Sequence, residues 1–184
     1  MNRALFLDRD GVVNVEKNYV HRIEDFQFMD GIFDLCRSFR DRGYLLVIVT
    51  NQAGLARGFY TQAQFHALSD WMRGRFAEEG LVVSGIYHCP HHPSITGDCL
   101  CRKPHPGMLL DAASDLDLDL PNCVLVGDKD SDLEAGRRAG LSHLGLVHGT
   151  TRLETVEFGS FGCIPVFEMA EIVSRQDSNR QSLT

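Results

Sequence analysis

Asp8-Arg9-Asp10-Gly11 sets two carboxylates two residues apart, directly after the apolar run at residues 4–7. At that spacing both can flank one point in space. A carboxylate is already ionised near neutral pH, so the first can attack an electrophile without a base to activate it. The second can hand a proton to a leaving oxygen and later take one from water. Gly11 lets the chain turn sharply away. Alone, such a turn is more often an exposed acidic loop, but three further stretches change the balance. Thr50-Asn51 offers a hydroxyl and backbone N–H groups that can hold phosphoryl oxygens without adding charge. Lys103, within Arg102-Lys103-Pro104, can neutralise charge on a phosphoryl group and on the aspartate. Asp128, in the acid-rich run 128–132, can complete a magnesium site, because Mg²⁺ takes hard oxygen ligands.

A second constellation is metal-like. Cys89-x-His91 followed by Cys99-x-Cys101 supplies three thiolates and one imidazole, a complete tetrahedral set for structural Zn²⁺ with no position left open for catalysis. His88 and His92 are alternatives to His91. Close Cys spacing in a cytosolic chain points to metal rather than disulfide. Cys36, Cys123 and Cys163 stand singly in apolar surroundings and read as small buried hydrophobes.

These residues need a scaffold. Strands are expected at residues 4–7, 44–50, 85–88, 123–126, 142–147 and 163–166, the second being a continuous apolar run of the kind covered on both faces. Helices are expected at 34–42, 61–79, 108–116, 132–139 and 168–175, with Thr61 as an N-cap and Gly80 as a stop. Residues 89–106 have no periodicity, and 176–184 form a polar, frayed tail. Such alternation implies βαβ units: an α/β, three-layer Rossmann-like parallel sheet with helices on both faces and no separate cap domain. Parallel sheets bind ligands outside the carboxyl ends of their strands. Asp8, Asp10, Thr50, Asn51 and Asp128 all fall at such ends, and Lys103 follows the metal-like loop.

Composition sets the outer limits. The 184 residues suit one domain, expected to span 1–175, with 43% hydrophobic and 23% charged residues as in ordinary soluble proteins. A formal net charge of −7 with no basic stripe argues against nucleic acid and anionic membrane as partners. No apolar run reaches the roughly 20 residues of a membrane span, and the N-terminal run meets Asp8 too soon for a signal peptide. A cytoplasmic, monomeric protein is expected.

LDRDGVVN, VTNQ, RKP and GDKDSD, in that order over about residues 3–148, resemble the four motifs of the haloacid dehalogenase superfamily of phosphatases. The resemblance implies Asp8 as nucleophile, Asp10 as general acid/base, and Thr50 and Lys103 as holders of the transferring phosphoryl group. It implies magnesium on the Asp8 side chain, the Asp10 carbonyl and Asp128. The cysteine loop is similar to that of the zinc-bearing branch containing the heptose bisphosphate and histidinol-phosphate phosphatases. YVHRIEDFQFMDG, TNQAGLARGFYTQAQF, IYHCPHHP and CRKPHPGMLL resemble the heptose family, while the short interval from His91 to Cys99 approaches the histidinol-phosphate type. The heptose resemblance implies a phosphorylated sugar substrate, in the supply of activated heptose for surface glycans. It also implies substrate contacts from Glu16, Lys17, Asn18, Tyr19, Asn51, Gln52, Ala53, Arg102 and Lys129. Histidinol phosphate is the rival substrate. A non-catalytic zinc- and phosphate-binding module is the rival of a different class, and the full set of Asp8, Asp10, Lys103 and Asp128 argues against it.

Overall fold

The computed structural model describes residues 1–181. Five parallel strands form the body of a sheet: β1 (Arg3–Leu7), β2 (Tyr44–Asn51), β3 (Val83–Cys89), β4 (Val124–Gly127) and β5 (His143–His148). The strands are apolar at nearly every position because each face is covered. Leu5 and Leu7 of β1 join the core on one side, with Leu46 and Ile48 of β2. Ala4 and Phe6 point to the other side with Val47 and Val49. Successive side chains of a strand alternate in this way, so an unbroken apolar run fills two cores.

Helices supply both covers. The first core takes Leu35, Cys36 and Phe39 of α1 (Ile32–Arg40) and Leu68, Met72 and Phe76 of α2 (Gln62–Glu78). The second takes Met108, Leu109 and Ala112 of α4 (Gly107–Leu116) and Ala135 of α5 (Asp130–Ala139). The short α3 (Pro93–Thr96) lies between β3 and α4. Thr61 starts α2 as expected: its Oγ1 accepts from the Gln64 N–H at 3.2 Å, and the Gln64 side chain accepts from the Thr61 N–H at 2.8 Å.

The sheet departs from the all-parallel expectation. Its order is β3-β2-β1-β4-β5-β6-β7, and the last two strands, β6 (Thr155–Phe158) and β7 (Cys163–Pro165), run antiparallel to their neighbours. The links 149–154 and 159–162 are too short for the crossover that a parallel pair needs, so each closes a hairpin. β6 has no counterpart in the sequence expectation. Three local corrections accompany it. Cys163 is exposed, unlike the buried Cys36 and Cys123. The stretch 89–106 contains the helical turn α3, begun by Pro93. The final helix α6 (Met169–Gln181) continues past the expected end at 175 into the residues expected to fray, and 182–184 lie outside the described residues. Its Met169, Ala170 and Val173 seal the first core.

Among the described residues no helix is long and apolar enough to cross a membrane. The central order β2-β1-β4 brings the carboxyl ends of three strands side by side. Thr50, Asp8 and Asp128, far apart in sequence, therefore meet at one edge.

Phe6 is fully buried in the second core. Phe6→Ala should lower the unfolding free energy by about 3–5 kcal/mol, measured by chemical denaturation. A loss below about 1 kcal/mol would show that α4 and α5 do not pack on β1 as described.

Candidate active site

Asp8 follows the last residue of β1, and its N–H donates to the Val126 carbonyl of β4 at 3.0 Å. The side chain is buried against Lys103, whose Nζ reaches Asp8 Oδ1 at 2.7 Å, Asp132 Oδ1 at 2.7 Å and the Val49 carbonyl at 2.9 Å. An ammonium has three hydrogens, and each has an acceptor here. Burial works to lower the Lys103 pKa, but the carboxylates of Asp8 and Asp132 outweigh it and hold the amine above its ordinary range. For Asp8, burial dominates and pushes the carboxyl up to about 7, with Lys103 pulling down and Asp132 and Asp10 adding to the rise.

Carboxylate oxygens of Asp8, Asp128 and Asp132 lie within 4.8 Å of one another. That is a hard, oxygen-only donor set with more negative charge than Lys103 alone can balance, which fits a divalent cation such as Mg²⁺. The neighbouring glycine keeps the space open. Gly11 sits at φ +96°, and a Cβ there would lie 2.3 Å from Asp128 Oδ2. Asp132 was not singled out from the sequence. Its Oδ2 accepts from the N–H groups of Asp128 and Lys129 at 3.2 and 3.1 Å, which fixes the turn into α5 while Oδ1 faces Lys103. Its one sequence signal is its place among the first-turn acids of a helix.

Asp10 turns to a different set of partners. Arg9, 1% exposed, forks onto it with Nε and Nη2 at 2.9–3.1 Å, and Nη2 also holds the Val20 carbonyl at 2.8 Å. Asn14 Nδ2 and Gln52 Nε2 donate to the same carboxylate at 3.1 and 3.0 Å. Gln52 Nε2 also donates to Thr50 Oγ1 at 2.7 Å. Arg9, Asn14 and Tyr60, whose hydroxyl donates to Gln52 Oε1, are further members of the site that the sequence did not single out. A polar residue inside an acidic turn gives no hint that it will be buried.

An open pocket of about 470 Å³ adjoins this cluster: Asp10 and Lys103 reach its lining, whereas Asp8, Thr50 and Asp128 do not. Asp10, Glu16, Asn18, Tyr19, Asn51, Gln52, Ala53, Arg102, Lys103 and Lys129 line it, joined by Tyr60 and Ser131. Most of the expected substrate contacts thus surround one space. Lys17 is the exception: it is absent from the lining, and its ammonium donates to the Asp25 carbonyl at 3.3 Å. Asn18 and Tyr19 hold left-handed backbone at φ 54° and 58°, an uncommon state outside glycine. Lys129 bridges Asp128 at 2.9 Å and Glu16 at 3.7 Å across the rim.

The four expected zinc ligands converge as well. Cys89 Sγ, His91 Nδ1, Cys99 Sγ and Cys101 Sγ form contacts of 3.1–3.6 Å. These are close to the edges of a tetrahedron around an ion bonded at about 2.0–2.3 Å, and the soft donor set suits zinc. The cluster can hold a metal ion. Burial pushes the Cys89 thiol up, whereas hydrogen bonds from the Arg102 backbone and neighbouring thiols outweigh burial at Cys99 and lower it. The loop is tied to the active site twice. The Gln52 N–H donates to the Cys89 carbonyl at 2.8 Å. The Asn51 side chain takes the Lys103 N–H at 3.1 Å and gives to the Lys103 carbonyl at 3.2 Å.

With this geometry in view, comparison with known proteins places the chain. A family model described as HAD-hydrolase-like matches residues 100–167. The fold and the acid–lysine cluster agree with it, and the class is that of phosphoric monoester hydrolases of the haloacid dehalogenase superfamily. A D-glycero-alpha-D-manno-heptose-1,7-bisphosphate 7-phosphatase of Campylobacter jejuni is 52% identical over 146 residues, covering 79% of this chain and 83% of that protein. A D-glycero-beta-D-manno-heptose-1,7-bisphosphate 7-phosphatase of Yersinia pestis is 48% identical over 143 residues, covering 75% and 76%. The solved D,D-heptose 1,7-bisphosphate phosphatase of B. bronchiseptica, complexed with magnesium and phosphate, is 32% identical, with TM-score 0.77 and coverage of 95% of this chain and 99% of that one. The chain belongs to the heptose-1,7-bisphosphate 7-phosphatase family.

The raised pKa of Asp8 has a direct consequence for cation binding. Its anionic form, the one that can take a metal, gains population as pH rises through about 7. Mg²⁺ should therefore bind more tightly at about pH 8 than at about pH 6, measured by calorimetric titration. Equal affinity at both would remove Asp8 from the cation's shell.

Proposed function

We propose that this protein hydrolyses the 7-phosphate of D-glycero-D-manno-heptose 1,7-bisphosphate through a phospho-aspartate intermediate on Asp8. One observation carries the reading: the pocket that adjoins the Lys103-anchored cluster of Asp8 also has the cations Arg102 and Lys129 in its wall. A substrate with two phosphates suits that arrangement, one at the floor and one at the rim. Arg102 is the better grip for the second phosphate, because a planar guanidinium matches two oxygens at once.

In this mechanism an Asp8 oxygen attacks phosphorus and the bond to the sugar oxygen breaks. Asp10 gives its proton to that oxygen. Asp10 then takes a proton from water as the water attacks the aspartyl phosphate, which frees inorganic phosphate and restores Asp8. In the state described above Asp10 lies in the Arg9 fork as an accepting carboxylate, so acting as the acid calls for it to take up a proton from water and turn toward the pocket before the sugar oxygen leaves. Thr50 holds a phosphoryl oxygen, and Lys103 does so by turning one ammonium hydrogen from its present acceptors toward the phosphate. The Asp8 side chain, the Asp10 carbonyl and Asp128 would hold magnesium, which when bound would supply positive charge that offsets repulsion between carboxylate and phosphate.

Zinc on Cys89, His91, Cys99 and Cys101 serves structure: it fixes the loop that delivers Arg102 and Lys103. In this reading the protein works as one phosphatase domain and as a monomer. Six unbridged cysteines fit the reducing cytoplasm, where activated heptose for surface glycans is made.

Phosphate release from both anomers of the heptose bisphosphate and from histidinol phosphate, with and without Mg²⁺, tests the substrate. A kinetic preference for histidinol phosphate would overturn it. Asp8→Asn should abolish turnover, a fall of at least roughly 10³-fold, and turnover that survives it would rule out the covalent route. Cys99→Ser should lose bound zinc and lower the thermal transition, read by metal analysis and calorimetry. Unchanged zinc content and stability would refute the structural site.

A further inference from the structure

Gln52 is a polar side chain only 2% exposed, and every hydrogen-bonding position of its amide that faces the site is occupied. Nε2 gives one hydrogen to Asp10 Oδ2 at 3.0 Å and the other to Thr50 Oγ1 at 2.7 Å. Oε1 accepts from the Tyr60 hydroxyl. The two ends of an amide have the same shape and opposite roles, so its partners decide which end faces which way. An ionised carboxylate accepts only, and a phenol aimed at an oxygen donates. Together they turn the nitrogen toward Asp10 and Thr50.

The consequence falls on Thr50. Its oxygen already receives an N–H, so its own hydrogen is left for another acceptor. A phosphoryl oxygen carries no hydrogen and is such an acceptor. With the amide reversed, the Thr50 hydroxyl would instead donate to Gln52, and Oε1 would face the Asp10 carboxylate.

Tyr60 is built to hold its end of this chain. It is 4% exposed, and its ring stacks on His21 at 5.1 Å with 9° between the planes. The ring also lies against Gly54, where a Cβ would come within 2.2 Å of Tyr60 Cε1. Only a glycine lets the turn after β2 approach the ring so closely. Burial pushes the phenol up to about 12, so it remains a donor across the neutral range.

We infer that Tyr60 is a positioning residue for catalysis, which through Gln52 orients the Thr50 hydroxyl toward the phosphoryl group and steadies Asp10. The inference rests on the roles given above to Thr50 and Asp10.

The test uses the full chain with its zinc and saturating Mg²⁺, at a temperature well below each variant's thermal transition. Tyr60→Phe keeps the ring and removes the hydroxyl. It should lower kcat roughly three- to tenfold, the range of one lost neutral hydrogen bond, with KM within about twofold. Gln52→Ala should lower kcat at least as far, and adding Tyr60→Phe to it should change kcat no further. Unchanged kcat in Tyr60→Phe overturns the inference. So does a loss that multiplies with that of Gln52→Ala, which would mean that the Tyr60 hydroxyl acts independently of Gln52. The same ratios are read on p-nitrophenyl phosphate, which needs the aspartates and Thr50 but no heptose. A wrong sugar then fails in the wild type on the bisphosphate alone, whereas a wrong role for Tyr60 fails on both esters.

Discussion

The Lys103 ammonium is the point on which this site depends. It leaves a loop that follows β3 and ends among acceptors from three other parts of the fold: Asp8 after β1, Val49 in β2 and Asp132 in α5. A charge this deep is tolerated only where each of its hydrogens is matched, and truncating one partner of a buried pair commonly costs about 3–5 kcal/mol. Because the three acceptors sit on separate elements, the lysine can be satisfied only when β1, β2 and α5 are all in place. The bond that prepares the reaction is therefore also a check on the assembly of the sheet.

The same lysine explains why so many acids can share a small volume. Asp8 and Asp132 flank it, and Asp128 lies close by. Burial raises the cost of ionising Asp8, and the neighbouring acids add to it. A fold selected for stability alone would gain from an apolar pair here. Keeping the acids leaves a center with unbalanced negative charge, ready for a divalent cation and then for a phosphate that the cation makes welcome. Asp10 has a different partner, because Arg9 takes it into a separate, largely buried ion pair. Two acids two residues apart are thereby placed in different surroundings.

Much of this was legible in the sequence, and the rest failed for identifiable reasons. β1 and β2 were readable because a strand covered on both faces becomes an unbroken apolar run; β1 runs straight into Asp8, and β2 ends in Thr50-Asn51. The zinc set was readable because ligand type and close spacing need no knowledge of the fold. β6 was missed because Thr155-Val156-Glu157-Phe158 is a short strand near the edge, with only alternate residues buried. Cys163 was misjudged because apolar neighbours say nothing about a hairpin's outward face. Asp132, Arg9 and Tyr60 were missed for a common reason. Each earns its place through a few specific hydrogen bonds or ion pairs, and a polar side chain looks the same in sequence whether it meets water or a buried partner.

Without a separate cap domain, the substrate must be gripped by loops, and loops are held by few contacts. The region from Cys89 to Lys103 contains one helical turn and contributes only a few residues to the cores. Asn51 ties it down at Lys103 by a pair of hydrogen bonds, and Gln52 does so at Cys89. Two such anchors fix the ends of the loop but leave its middle to the four metal-like ligands. A hydrogen bond contributes about 0.5–1.5 kcal/mol net, whereas a bound structural zinc ion would supply many times that. With a metal bound, the four-ligand cluster would substitute for the core this loop lacks. The anchors decide where Lys103 points, and the cluster decides whether Arg102 stays beside it. Charge at the floor of the pocket is set by the sheet, and charge at its rim by the loop. A change in the loop can thus alter which second group is gripped and leave the attack on phosphorus intact.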